Sequence, residues 1–337
     1  MTIAAFRNTA ILDHAIRPLR RHLDEDGVTE LVINEPMIVG VERRGGWTWE
    51  REEDLTLDAL NNLARAAAAF TSQDVTREKP ICSTVFPTGE RVQLVMPPVV
   101  PDGTVSITIR KPSSKTMSMA DFEASGLFAD TKVASKRVSP VEEKLLGLLH
   151  AGRHVEFFEM AVRSRLNILI SGATGSGKTT FSKGLIKLIP PNERLLTIED
   201  TRELEVPHEN VVHMIYSKDG TGTAKVTAKE LLESALRMRP DRILLQELRD
   251  GTAFFYLRNV NSGHPGSITT IHADSAELAF EQLTLLVKES EGGADLARDD
   301  IRSLLKILVD VVVQMKKIDG QFRMSEIYYD PAGRHAA

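Results

Sequence analysis

Residues 166–180, Leu-Asn-Ile-Leu-Ile-Ser-Gly-Ala-Thr-Gly-Ser-Gly-Lys-Thr-Thr, decide the fold. The apolar run at 166–171 reads as a buried strand, and helical spacing resumes over 178–188. Between them Gly172, Ala173, Thr174, Gly175, Ser176, Gly177, Lys178 and Thr179 complete the pattern G-x-x-x-x-G-K-[ST], with Thr180 continuing into the helix. Glycines at these positions let successive backbone N–H groups turn inward around phosphate oxygens, and the helix N-terminus adds a favourable dipole. Lys178 is placed to reach the β- and γ-phosphates, and Thr179 to offer its hydroxyl to Mg²⁺. The signal is strong because strand, loop and helix come in the order the mechanism needs.

Outward from this loop, short apolar runs at 194–198, 211–216, 243–247 and 267–271 alternate with helical stretches at 227–239 and 251–262. Such alternation predicts an α/β fold with a parallel sheet covered on both faces. The end of the chain, 309–315 and 322–329 around Asp319-Gly320, reads as a hairpin. Upstream the pattern differs: strand-like runs at 29–34 and 38–43, a Gly45-Gly46 turn into 47–49, an alanine-rich helix at 55–70, and β-like segments punctuated by Pro and Gly over 81–110. Residues 1–112 are therefore expected to form a smaller α+β domain, 113–139 a linker, and 140–337 the nucleotide-binding domain. A length of 337 residues suits two domains.

Three further blocks carry candidate chemistry. Glu247 ends an apolar strand at its C-terminal end, where open α/β sheets bind ligands; a Glu there suits polarising a water and steadying Mg²⁺. Glu199, Asp200, Glu203 and Glu205 follow the strand at 194–198. Taken alone they read as a solvated acidic run, but their place at a strand end lets Glu199 or Asp200 hold Mg²⁺ through water. In the segment 261–274, His264 and His272 are too poorly supported by a third ligand to make a metal site; His272 at a strand end is better read as a γ-phosphate donor, with His264 supporting it from the loop.

Composition removes other classes. A single cysteine excludes an internal disulfide and a Cys-rich zinc module, and is compatible with the cytoplasm. Net charge is −5, with 15 basic and 19 acidic side chains in residues 1–135 and 27 and 28 in the rest. Neither half is strongly basic, so no direct nucleic-acid site is announced. Arg7 and Asp13 interrupt any signal-like apolar core at the start, and no run approaches the ~18 apolar residues of a membrane span.

Taken together, the blocks resemble the secretion ATPase superfamily, and within it the VirB-type traffic ATPases of bacterial type IV secretion systems. The matching order is the phosphate loop, T-I-E-D at 197–200 (the Asp box), R-P-D-R-I-x-x-x-E-x-R at 239–249 (Walker B) and G-H…T-x-H at 263–272 (the His box). Gly89-Glu90-Arg91 and Ile109-Arg110-Lys111-Pro112 extend the likeness into the first domain. The resemblance implies a RecA-like ATPase domain beside a PAS-like N-terminal domain, with nucleotide lying between the two. It implies Mg-dependent ATP hydrolysis by a homo-hexamer that drives machine assembly or substrate export. By position, Lys178 and Thr179 bind phosphate and Mg²⁺, Glu199 and Asp200 serve the Asp box, Glu247 is the catalytic carboxylate, His272 senses the γ-phosphate, and Arg91 and Arg110 supply positive charge. Arg237 and Arg249 are weaker candidates. The implied partners are inner-membrane components of a secretion apparatus, including other secretion ATPases, with the protein peripheral to the cytoplasmic face of that membrane. Gln246 departs from the glycine common before the Walker B glutamate. A type IV pilus motor and a nucleic-acid translocase are the alternative functions.

Overall fold

The computed structural model describes residues 3–336 apart from 114, 115, 132, 134–136, 219–221, 262 and 291. Six of these fall in the expected linker, and Ser262 falls in the segment 261–274; both stretches lie partly outside the described residues.

Helix α1 (Ile3–Ile16), a single 3-10 turn and α2 (Arg20–Leu23) lead into a meander of β1 (Glu30–Glu35), β2 (Ile38–Arg43) and β3 (Gly46–Arg51). Helix α3 (Leu57–Phe70) follows, capped by the Thr56 hydroxyl accepting from the Ala59 amide. It buries Leu60, Leu63, Ala64 and Ala67, one stripe at helical spacing. Strands β4 (Ile81–Val85), β5 (Arg91–Val95) and β6 (Ser106–Arg110) complete an antiparallel six-stranded sheet in the order β3-β2-β1-β6-β5-β4. Its apolar face packs with α1 and α3 around Leu31, Ile33, Leu94 and Ile107.

The segment expected to be the linker contains a short helix, α4 (Met119–Ala124), closed by a capping box between Ser118 and Asp121. None of its residues is buried, which is why no apolar period marked it. Helices α5 (Pro140–His150) and α6 (His154–Arg163) then lead to β7 (Ile168–Gly172), α7 (Lys178–Ile186), β8 (Leu195–Glu199), β9 (Val211–Ile215), α8 (Ala228–Ala235) and β10 (Arg242–Leu245). They are followed by α9 (Thr252–Asn261), β11 (Ile268–Ile271), α10 (Ala276–Lys288), α11 (Arg298–Leu308), the hairpin β12 (Val311–Ile318) and β13 (Gln321–Tyr329), and α12 (Pro331–Ala336).

Strands β10-β8-β9 pair in parallel, as do β11-β7-β12, with β13 antiparallel on β12. Backbone bonds from Leu248 N to Thr270 O (2.9 Å) and from Thr270 N to Gln246 O (3.3 Å) join the two groups. The result is one sheet ordered β9-β8-β10-β11-β7-β12-β13. Strands β7 and β8 are buried along their whole length, the two-faced burial that parallel strands require.

The two sheets of the chain touch at the N-terminal ends of the parallel strands and along the β9 edge. Arg194, just before β8 and fully buried, donates to Asn34 Oδ1 (3.0 Å), Thr108 Oγ1 (3.3 Å) and Asn210. Gln93 donates to Ser234 Oγ (2.9 Å), and the Ile215 amide to the Val99 carbonyl (2.7 Å). Val95, Val99 and Val100 sit in the same apolar cluster as Leu196, Met214 and Leu231.

Candidate nucleotide site

The loop after β7 owes its shape to three glycines with φ in the left-handed half of the map. Gly172 has φ +155° and lies so close to its surroundings that a Cβ would come within 2.5 Å of the Met315 carbonyl and of Ser176 Oγ. Gly175 has φ +74°; Gly177, at φ +91°, caps α7. Residues Ala173, Thr174, Gly175, Ser176, Gly177, Lys178, Thr179 and Thr180 line a cavity of about 420 Å³. Gly172 contributes its carbonyl, which accepts from Lys178 Nζ at 2.6 Å, and Ala173 O accepts from the same ammonium at 3.0 Å. Lys178 is thus folded back onto the loop, and burial holds its pKa below the usual lysine value.

The opposite wall is built from strand ends. His272, just past β11, faces Lys178 Nζ through Nδ1 (3.3 Å) and Glu247 Oε1 through Nε2 (3.0 Å). One tautomer satisfies both: Nε2–H donates to the carboxylate while Nδ1 accepts from the ammonium. The other Glu247 oxygen accepts from Arg249 (2.7 Å), whose second arm reaches Asp200. A chain Lys178–His272–Glu247–Arg249–Asp200 therefore crosses the cavity. The hydrogen bonds and charges of Glu247 and Asp200 drive the Arg249 pKa still higher. Gln246, Thr270, Glu203 and Phe322 complete the wall.

Several expectations are corrected. Glu199 does not face the cavity. Its side chain is fully buried, accepting from the Glu203 amide (2.7 Å), the Leu204 amide (2.8 Å) and the Thr197 hydroxyl (2.9 Å). Burial works to raise its pKa, but bonds from His213 and these donors outweigh it and hold the carboxyl below the usual range. Its oxygens hold the 200–205 loop and do not line the cavity. Asp200 is bound to Arg249 and does not line the cavity either. The acid that the loop delivers to the cavity is Glu203, which no local pattern distinguishes from its neighbours.

Arg91 and Arg110 line a different cavity, of about 840 Å³, with Lys111, Glu30, Glu42 and Arg239. Arg239 precedes β10 whereas Glu247 follows it, so this cavity is at the opposite end of the sheet from the phosphate loop. None of the described residues lining the phosphate-loop cavity comes from the N-terminal sheet. His264 is also turned away, its Nδ1 at 3.0 Å from the Pro240 carbonyl, and Arg237 lies on a neighbouring cavity with Arg91. Arg249, which sequence reasoning ranked low, is the cation that clamps Glu247.

The donor set suits Mg²⁺ bound together with a phosphate chain. Among the described residues no group of three or more His, Cys, Asp or Glu could cage a metal alone, and Mg²⁺ ordinarily takes one or two protein ligands plus phosphate and water. Thr179, Glu203 and Glu247 share the cavity wall, and the buried Ser176 Oγ has no partner, an orphaned group directed into the loop.

A loop of this geometry at the carboxyl end of a parallel sheet, faced by a carboxylate and a histidine from adjoining strands, defines a RecA-like P-loop nucleotide-binding protein. Comparison with known proteins narrows the class. Residues 51–317 match the family described as "Type II/IV secretion system protein". The chain is 51% identical over 333 residues to the type IV secretion system protein VirB11 of Bartonella quintana, covering 96% of this chain and 94% of that one. It is 42% identical over 339 residues to VirB11 of Brucella suis, covering 99% and 94%. The crystal structure of the Brucella suis VirB11 ATPase in complex with sulphate superposes with a TM-score of 0.94 at 41% identity, covering 99% of both chains. The chain belongs to the VirB11 type IV secretion ATPases.

Proposed function

We propose that this chain is the ATP-hydrolysing motor subunit of a type IV secretion system and works as a homo-hexamer. The observation that carries the reading is the cavity that joins the phosphate loop to Glu247 and His272, in a chain of this family. Lys178 exchanges its contacts to Gly172 O and Ala173 O for the β- and γ-phosphate oxygens, and the loop amides hold the rest. Mg²⁺ when bound supplies positive charge at those oxygens; Thr179 would hold it, with Glu203 and Glu247 on the same wall. Glu247 orients water and takes its proton as the water oxygen bonds to the γ-phosphorus and the bond to the ADP oxygen breaks. Arg249 keeps Glu247 aimed. His272 lies between Lys178 and Glu247, so phosphate arriving at Lys178 is felt at the base.

Arg91 and Arg110 face away from their own loop, so we assign their charge to the nucleotide of the next subunit in the ring. Inner-membrane components of the apparatus, other secretion ATPases among them, are the proposed docking partners. The ring would then sit at the cytoplasmic face of that membrane. No helix among the described residues is long and apolar enough to cross a membrane.

Native mass spectrometry of Glu247→Gln with Mg-ATP tests the reading. Six chains carrying ATP are expected; a nucleotide-bound monomer would overturn the motor assignment.

A further inference from the structure

Phe322 is the only Phe, Tyr or Trp among the described residues on the wall of the phosphate-loop cavity. It is 53% exposed. An exposed aromatic side chain is unremarkable on its own account, but this one is held against the loop. A Cβ built on Gly177 would come within 3.1 Å of the ring carbons Cγ and Cδ1, so the phenyl group lies on the glycine backbone and leaves its remaining surface to the cavity. Its position is fixed from below by a two-residue turn. Ile318 pairs with Gln321 and Lys317 with Phe322, while Asp319 (φ +50°) and Gly320 (φ +77°) both take the left-handed conformation of a tight hairpin.

Sheet order gives this placement a chemical meaning. Strands β11 and β12 flank β7 on opposite sides. The groups that act on a terminal phosphate, His272 and Glu247, all come from the β11 side. A triphosphate running along the loop with its free end at His272 has its nucleoside end directed to the other side, toward β12 and β13, where Phe322 stands.

We propose that Phe322 is the stacking platform for the nucleotide base; the proposal rests on the nucleotide reading above. A flat apolar ring with one face braced and the other open offers a π-surface to any purine. Because every base has a π-face, Phe322 supplies affinity without choosing between adenine and guanine. It also explains the demand for glycine at 177 beyond its backbone angle: a side chain there would lift the ring out of place.

Calorimetric titration of the full chain with Mg-ADP, Mg-GDP and inorganic tripolyphosphate provides the test. Phe322→Ala is expected to weaken ADP and GDP alike by about 5- to 150-fold, the range for losing one stacked base, and to leave tripolyphosphate binding unchanged. Phe322→Tyr, which keeps the ring, is expected to restore ADP binding to within about twofold. Equal losses for ADP and tripolyphosphate would overturn the proposal and make Phe322 a brace for Gly177. Unchanged ADP affinity would remove it from the site. Failure of the wild-type chain to bind either ligand is a different result and counts against the nucleotide reading itself.

Discussion

At the scale of single residues, two glutamates that each end an apolar run in the sequence do opposite work. Glu247 stands open to the cavity with both oxygens held by side chains that can move. Its replacement by Gln preserves shape but removes the base, so ATP binding should survive while hydrolysis falls some 10²–10⁴-fold. Phosphate release at saturating ATP checks this, and equal turnover in both proteins would sink the role. Glu199 is sealed in and serves the fold. Gln in its place offers one acceptor where three donors converge, so Glu199→Gln should cost about 1–3 kcal/mol of stability, read as a lower urea midpoint. The phosphate-loop residues are legible in sequence because their chemistry is local and their spacing is contiguous. The distinction between Glu199 and Glu203 is not legible, since it depends on which carboxylate the loop turns inward. Arg249 is legible as part of the 239–249 motif although its clamp on Glu247 is not, whereas Phe322 reaches the cavity only through pairing of distant strands, and no spacing rule announces that.

At the scale of elements, the loop between β7 and α7 has no slack. In Gly172→Ala the new Cβ would press on the Met315 carbonyl and Ser176 Oγ at an unfavourable backbone angle. A loss of roughly 1–3 kcal/mol and of nucleotide affinity is expected, seen together in thermal melts with and without Mg-ADP. The β1–β6 pair holds a different tension. Glu30 lies across from Arg110 and is buried; burial pushes its carboxyl up to about 7, although the Arg110 charge opposes the rise. A carboxyl whose pKa is raised on folding contributes its full stability below the unfolded value and loses it as pH climbs through the folded one. Stability should therefore decline between about pH 4 and 8. Glu30→Gln cannot ionise, so it should differ little from the wild type below about pH 4 and exceed it by roughly 3 kcal/mol at pH 9. Denaturation at the two pH values decides this. Strand and helix alternation made these elements readable from apolar period alone; α4 escaped because it has no buried face, and the ionisation of Glu30 because burial is a tertiary property.

At the scale of the molecule, the sequence order of two domains is plain from the change of pattern near residue 113, whereas the end of the parallel sheet on which the first one sits is not. The Arg194 cluster fastens the N-terminal sheet to its own chain at the end remote from the phosphates, and the shared valines fasten it along the β9 edge. Cysteines at Gln93 and Ser234, whose side chains meet at 2.9 Å outside the Arg194 cluster, joined by a short bifunctional thiol reagent, should leave ATP turnover and ring formation intact. Loss of turnover would mean that the two parts must separate during the cycle.

The buried Arg194 knot has a mechanical consequence. A spanner's handle follows its jaw because the metal between them is continuous, and here the guanidinium, two asparagines and a common valine core make that continuity. If the chain works as the proposed motor, force raised at the phosphate loop would pass through this knot to the N-terminal sheet, and the joints between neighbouring chains would be the place for play.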